Sequence, residues 1–264
     1  MLEIERIDNG KAFDWGNTSE DYGKYRDIYP ESYYKKLLSL GVEKDNQSIL
    51  DIGTGTGVVA RKIYKESNSI IGIDIEENQI EKAKELSIKE NKNIKYLIRS
   101  AEDTGLGLNE FDFIIAAQCY IYFDRSKVLK EIDRILKPNG KFIITWFCWL
   151  PYESKLAKAS EDLILKFNPD WGGAGFKDNF EINFDMTSSD FIIGNQIRYK
   201  ERIPFTKETW CGRIRATRGV GAVLNSKELN KFDEEHKDLM NNFKDHEFEI
   251  PHLVLMNTYK RRDL

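Results

Sequence analysis

Three glycines at alternate positions, Gly53, Gly55 and Gly57, stand directly after the short run Ile49-Leu50-Asp51-Ile52. A turn of this kind lets backbone approach a ligand closely, because a Cβ there would collide or force a strained φ. The spacing separates two ligands. A dinucleotide-binding turn has its third glycine three residues after the second, and here that position is Val58, with the glycine at 57 instead. Asp51, two residues ahead of the first glycine, puts a carboxylate where a pyrophosphate would be repelled. A carboxylate suits an ammonium or sulfonium group, so these residues argue against NAD and for S-adenosyl-L-methionine.

Other reactive side chains are fewer. His236 shares a helical face with Leu229, Phe232, Leu239, Met240 and Phe243, which reads first as a satisfied core histidine. His252 adjoins Pro251 near the start of the last apolar run, where proline suggests an edge or bulge. It reads either as a structural hydrogen-bonding group or as the candidate catalytic base. Arg213, Arg215 and Arg218 read as a solvated helix face or as a grip on a substrate carboxylate or phosphate, the pairing arginine suits best. Trp146, Trp149, Trp171 and Trp210 either line an apolar pocket or pack core and lid. Cys119, Cys148 and Cys211 are far apart, form no metal or redox pair, and read as small buried hydrophobes. No metal site is expected.

From about residue 48 to 147 apolar runs alternate with amphipathic stretches, the pattern of a parallel sheet wrapped by helices. Strands are predicted over residues 48–52, 69–74, 94–98, 111–116 and 141–147, and helices over 57–66, 76–90 and 124–136. Val128, Leu129, Ile132, Ile135 and Leu136 mark the inner face of the last helix, and Pro138-Asn139-Gly140 marks a turn. Before this core, Pro30 opens a helix and Gly41 closes it. After it, residues 152–167 read as helix, 168–190 as loop, 191–205 as a long strand, 206–245 as helical and 248–259 as a final strand.

At this point the residues resemble those of class I S-adenosylmethionine-dependent methyltransferases, in particular bacterial small-molecule enzymes. Asp51-x-Gly53-Thr54-Gly55-x-Gly57 resembles the first motif of that family. The resemblance implies that Asp74 accepts hydrogen bonds from both ribose hydroxyls, that Ile75 lies beside the adenine, and that Ser100-Ala101-Glu102 meets the adenine edge. Phe111-Asp112 through Leu136-Lys137-Pro138-Asn139-Gly140 is similar to the fourth and fifth motifs, with Asn139 where glycine is usual. Tyr22-x-x-Tyr25-Arg26 and Tyr29-Pro30 resemble an N-terminal cap, in which Tyr22 and Arg26 close over the methionine end of the cofactor. Gln118-Cys119-Tyr120-Ile121, after the fourth strand, places Gln118 among the cofactor residues and is unlike the motif of nucleobase or glutamine amino methyltransferases.

The fold implied is α/β, a Rossmann-like class I methyltransferase sheet of seven strands with the last antiparallel and helical lid insertions. One domain spans 1–264: a helical cap over 1–47, a cofactor core over 48–147, and a substrate-side half over 148–264 whose lid is about 206–245. On this topology the lid covers the pocket, and His252 points into it.

Composition narrows the acceptor. The net charge is −4 and no concentrated basic stripe is present, so nucleic acid is not expected as a partner. No run approaches the roughly 18 apolar residues of a membrane span, and the N-terminus lacks a signal-peptide pattern, so no membrane partner and a cytoplasmic location are expected. The implied activity is methyl transfer to oxygen or nitrogen of a small-molecule acceptor, anionic if an arginine grips it, by a monomer or homodimer. The competing readings are an RNA or protein methyltransferase and a non-catalytic S-adenosylmethionine-binding protein. Methyl transfer from a sulfonium mainly needs alignment and exclusion of water, so the sequence need not advertise a catalytic residue.

Overall fold

A computed structural model describes the chain except for residues 1, 43, 181–183, 185, 187–189, 263 and 264. In chain order its elements are α1 (Ser19–Tyr25), α2 (Glu31–Leu37), β1 (Ser48–Ile52), α3 (Val58–Lys62), β2 (Ser69–Asp74), α4 (Glu77–Lys89), β3 (Lys95–Ile98) and β4 (Phe111–Ala117). They continue with α5 (Arg125–Ile135), β5 (Leu136–Trp149), α6 (Lys155–Phe167), β6 (Phe191–Thr206), α7 (Lys207–Arg215), α8 (Ser226–Asn241) and β7 (Glu247–Arg261). The strands form one sheet in the order β3-β2-β1-β4-β5-β7-β6, with β7 antiparallel, as the family resemblance implied. Contacts within the chain divide it into two compact units. A sheet unit holds Tyr29–Phe147, Ile182–Tyr199 and Val254–Leu264, and a helical unit holds Met1–Ile28, Cys148–Glu181 and Lys200–Leu253.

In the sheet unit, β1 pairs in parallel with β2 and β4, β2 with β3, and β4 with β5. Strands covered on both faces need continuous apolar runs, and Ile49, Leu50, Ile52, Ile70, Ile73, Ile114, Ile115 and Ala116 are all buried. Asp124 caps α5 by accepting from the Lys127 N–H at 3.3 Å. The periodicity of α5 then turns Val128, Leu129, Ile132 and Ile135 onto the sheet core. The expected turn at Pro138-Asn139-Gly140 falls inside β5, because the pairing with β4 slips: Leu136 faces Phe111, whereas Lys141 faces Phe113. Four residues of β5 thus oppose one of β4, and the bulge absorbs the proline that a regular ladder would exclude. The helix expected over 57–66 is shorter, Val58–Lys62, ending on Ile63 with non-helical backbone.

In the helical unit, the stretch expected to be helical over 206–245 is two helices. The chain reverses after Arg215: the Gly221 N–H donates to the Arg215 carbonyl at 3.0 Å, and a Cβ on Gly221 would lie 2.5 Å from that oxygen. Both helices open on capping boxes, Thr206 with Thr209 and Asn225 with Glu228, which satisfy otherwise orphaned N–H groups. A buried chain of hydrogen bonds ties α6, α7 and α8 together: Trp210 Nε1 donates to Ser160 Oγ at 2.9 Å, and that oxygen lies 3.0 Å from His236 Nε2. His236 is therefore a satisfied core residue. No helix among the described residues is long and apolar enough to cross a membrane.

Candidate active site

The end of β1 is shaped by backbone that only glycine adopts without strain. Gly53, Gly55 and Gly57 have φ of +61°, +54° and +75°. A Cβ on Gly53 would stand 2.8 Å from the Cys119 Cβ, and one on Gly57 would stand 2.3 Å from the Tyr96 hydroxyl. Tyr96 is itself fixed, its hydroxyl 3.0 Å from Ser87 Oγ. The Thr54 N–H donates to the Ile73 carbonyl at 2.9 Å, which latches the turn to β2.

Parallel pairing of β1 with β2 brings two carboxylates to this turn. Thr54 Oγ1 donates to Asp51 Oδ2 at 2.6 Å. Asp74 Oδ2 accepts from the Gly55 N–H at 2.9 Å and its Oδ1 from the Glu76 N–H at 3.0 Å. Asp51, Thr54, Gly55 and Asp74 thus form one connected group. Burial pushes the Asp51 carboxyl up to about 7, against the Thr54 hydroxyl and the Ala60 N–H, with the charge of Asp74 adding to the rise. Burial also raises Asp74, opposed by the N–H groups of Glu76, Gly55 and Ile75. Negative charge is costly here, and a cationic ligand would lower that cost.

The remaining residues singled out in this unit divide by what their side chains do. Ile75 is 46% exposed, an apolar side chain left outside the core. Ala101 is buried, and the Glu102 carboxylate accepts from Ser100 Oγ and, at 2.8 Å, from the Asp124 N–H, tying the loop after β3 to the start of α5. Gln118 has φ +66°, and its side-chain amide donates to the Phe147 carbonyl. Both its side chain and its N–H, which donates to the Thr145 carbonyl at 3.1 Å, are committed to β5. Sequence reasoning missed Thr56, whose fully buried hydroxyl has no hydrogen-bond partner among the described residues. Cys119, read from the sequence as a small buried hydrophobe, is buried and packs on Gly53, with its Sγ donating to the Ile52 carbonyl at 3.0 Å. The x positions of a glycine turn carry no signal of orientation, which is why Thr56 escaped.

Tyr22, Arg26 and His252 belong to the helical unit. The Arg26 guanidinium lies 4.9 Å from the centre of the Tyr22 ring. His252 is fully buried, stacked on Phe205 at 6.0 Å between ring centres. Its Nδ1 is 2.9 Å from the Ile250 carbonyl, which can only accept, so Nδ1 carries the proton and Nε2 is the basic nitrogen. Burial depresses the imidazole to about 3, the Ile250 hydrogen bond opposing and the charges of Arg213 and Arg26 assisting, so the ring is neutral at pH 7. Of the three arginines, Arg218 forms a bidentate pair with Asp8 at 2.6 and 2.9 Å, and Arg215 pairs with Asp21 at 2.8 Å and with Asp233. Arg213 is buried, its guanidinium 4.9 Å from the centre of a Trp149 ring.

An S-adenosyl-L-methionine molecule fits the sheet unit. Asp74 is fixed by two N–H groups at the strand end with acceptor capacity for adjacent hydroxyls, Ile75 offers an apolar surface, and the glycine turn admits close approach. The buried Thr56 hydroxyl is a polar atom that a ligand can satisfy.

Comparison with known proteins agrees with this geometry. Residues 43–199, more than half of the chain, match the model of the family described as "Methyltransferase domain". A relative in Rickettsia bellii, named a ubiquinone/menaquinone biosynthesis C-methyltransferase, is 33% identical over 164 residues, covering 59% of this chain and 60% of its own. The protein of the same name in Rickettsia prowazekii is 38% identical over 123 residues, 43% of this chain and 50% of its own. The chain thus spans only about half to three-fifths of the length of these curated relatives. Among solved structures, the YcgJ protein from Bacillus subtilis superposes with a TM-score of 0.54 at 18% identity, covering 87% of this chain and 98% of that one, a likeness of fold.

Proposed function

Because the chain belongs to the methyltransferase domain family, we propose that it transfers a methyl group from S-adenosyl-L-methionine to an oxygen or nitrogen of a small-molecule acceptor, by in-line displacement. The observation that carries this reading is Asp74, pinned by the Gly55 and Glu76 N–H groups beside a left-handed glycine turn. When bound, the cofactor supplies an electrophilic methyl group on a sulfonium. The chain's own residues do the holding. Asp74 would accept from the ribose hydroxyls, Ile75 would lie against the adenine with Ala101 and Glu102 at its edge, and Asp51 would face the positive end. Gly53, Thr54, Gly55 and Gly57 would let that end approach the main chain, and Thr56 would donate its hydroxyl. Tyr22 and Arg26 are proposed to close over the methionine portion, and Gln118 to contact the cofactor.

His252 is the proposed proton acceptor, through Nε2. A group with a conjugate acid near 3 is too weak to deprotonate an alcohol beforehand. It is strong enough late in the step, because a hydroxyl oxygen that has begun to bind a methyl becomes a far stronger acid. An ammonium product would keep its proton from so weak a base, so this chemistry favours oxygen over nitrogen. A second reading, transfer to carbon, is favoured by the name of the Rickettsia relatives.

Isothermal titration with S-adenosylhomocysteine and with NAD tests the cofactor. Wild type should bind the former at micromolar concentration and ignore NAD. Asp74→Ala should weaken binding by roughly 30- to 150-fold, for the loss of about 2–3 kcal/mol of hydrogen bonding to a charged acceptor. Binding of NAD in place of S-adenosylhomocysteine would overturn the reading. With a carbon-13 methyl donor, the chemical shift of the product methyl distinguishes oxygen, nitrogen and carbon acceptors.

A further inference from the structure

Glycine inside a strand weakens it and marks a place where another group comes close. Gly72 stands inside β2, and a Cβ there would lie 2.7 Å from the Tyr96 ring and 2.9 Å from Thr54 Oγ1. Those two groups share the space that the missing side chain leaves. Tyr96 enters it from β3, where it is the register partner of Gly72, and its hydroxyl is 3.0 Å from Ser87 Oγ. Thr54 enters it from the glycine turn. Its N–H is bonded to the Ile73 carbonyl at 2.9 Å, which fixes its main chain on β2, and its hydroxyl donates to Asp51 Oδ2 at 2.6 Å. That separation falls in the range of a hydroxyl bonded to a charged carboxylate. Both residues are buried, so neither can readily exchange this hydrogen bond for one to bulk water. Among the described residues the donors to the Asp51 carboxyl are the Thr54 hydroxyl and the Ala60 N–H. The titratable groups whose charge couples to Asp51 are Asp74 of β2, Tyr33 of α2, Tyr96 of β3 and Cys119 after β4, and no cation is among them. The hydroxyl thus supports a buried carboxylate that has no cationic partner in that set.

We propose that Thr54 is a positioning residue of the cofactor site: its hydroxyl, seated over Gly72, holds the Asp51 carboxylate charged and oriented for the positive end of S-adenosyl-L-methionine. That the ligand is this cofactor rests on the function proposed above. A hydroxyl donated to a carboxylate favours the ion over the acid, and without it the balance passes to burial, which favours the acid. A carboxylate already charged and placed need not lose a proton or be ordered at the moment of binding. Thr54 acts through Asp51, so the effect of its hydroxyl should depend on pH and should vanish when Asp51 cannot ionise. Packing alone predicts neither.

The test is calorimetric titration of the full-length protein with S-adenosylhomocysteine at pH 6 and pH 8.5, in wild type, Thr54→Ala and Thr54→Ser. Carbon-13 spectra of the ligand-free proteins follow the Asp51 carboxyl alongside. Thr54→Ala should raise the Asp51 midpoint by about one pH unit. Its affinity should then fall roughly tenfold at pH 6 and less than about 1.5-fold at pH 8.5, where Asp51 is charged in both proteins. Thr54→Ser keeps the donor and should stay within about twofold of wild type at both pH values. In an Asp51→Asn background, adding Thr54→Ala should change affinity by less than about twofold. Equal weakening at pH 6 and 8.5, or an undiminished loss in the Asp51→Asn background, assigns Thr54 to packing and overturns the proposal. If Thr54→Ala does not fold, wild type decides: the Thr54 methyl resonance should move with the Asp51 carboxyl transition, and a methyl resonance that stays still overturns the proposal. The two readings remain separable. Absence of S-adenosylhomocysteine binding in wild type removes the methyltransferase reading, whereas intact binding with an Asp51 midpoint unmoved by Thr54→Ala removes the role of Thr54 alone.

Discussion

Cofactor binding should titrate with Asp51. In the ligand-free protein its carboxyl sits at about 7 against an ordinary value of 3.8, which corresponds to roughly 4 kcal/mol of preference for the neutral form. A ligand with an ammonium or sulfonium group favours the carboxylate, so it must displace a proton wherever Asp51 is protonated. Below pH 7 affinity should therefore fall toward tenfold per pH unit, and S-adenosylhomocysteine should bind about 25-fold more weakly at pH 5.5 than at 7.5. The other groups whose charge couples to Asp51 do not blur this. Burial lifts Tyr96 to about 12 and Tyr33 and Cys119 well above their ordinary values, so all three stay neutral. Asp74, also raised, acts in the same direction. Calorimetry in two buffers of different ionisation enthalpy reads the displaced proton directly, about one at pH 5.5 and about a quarter of one at pH 7.5. Asp51→Asn should remove most of the slope, the remainder belonging to Asp74. The same burial has a stability signature. A carboxyl raised on folding costs nothing below about 4, and the loss grows as pH rises toward 7. Asp51→Asn should thus stabilise the ligand-free protein above pH 7, by at most roughly 4 kcal/mol, and leave it unchanged near pH 4. Equal affinity of wild type at pH 5.5 and 7.5 would refute the assignment of Asp51 to the cationic end of the ligand.

Three further outcomes can be checked separately. His252→Ala should lower turnover while leaving S-adenosylhomocysteine affinity within a factor of about two; unchanged turnover would remove it as the proton acceptor. Gly57→Ala puts a Cβ 2.3 Å from the Tyr96 hydroxyl at a φ of +75°. It should cost about 2–4 kcal/mol in urea unfolding, part of it recovered on adding Tyr96→Phe. Asp8→Asn leaves the nearly buried Arg218 without its bidentate carboxylate. A loss of about 3–5 kcal/mol in thermal or denaturant unfolding is expected, against near-zero for Asp133→Asn at the exposed Arg261 pair.

What the sequence revealed and what it hid follow the range of the forces involved. Strands β1, β2 and β4 are continuous apolar runs that a parallel sheet buries on both faces, so Ser48–Ile52, Ser69–Asp74 and Phe111–Ala117 were legible to within a residue. The glycine turn was legible because three left-handed positions in five residues leave little choice of residue type. The helical unit was legible only in part: the helix expected over 152–167 stands at Lys155–Phe167, but the tertiary detail of the rest was hidden. The break between α7 and α8 depends on Gly221 returning to the Arg215 carbonyl, and the reach of Arg218 to Asp8 crosses 210 residues. Helix α1 carries no buried residue of its own and gives no apolar stripe to read. Gly212 carried no signal of its own, yet the fold uses its missing Cβ to seat Tyr25.

The sheet unit spends stability on buried negative charge. It buries the carboxyls of Asp51 and Asp74 with hydroxyl and N–H donors that only partly offset their desolvation. A structural ion pair in the same chain, Arg218 with Asp8, shows that the fold can match charges when packing alone is at stake. Strain of this kind persists where a ligand of opposite sign removes it. A cationic ligand for the sheet unit should therefore raise the melting temperature, and the Asp51→Asn variant should lose most of that gain. An undiminished gain in that variant would mean that the charge of Asp51 does not mark the site.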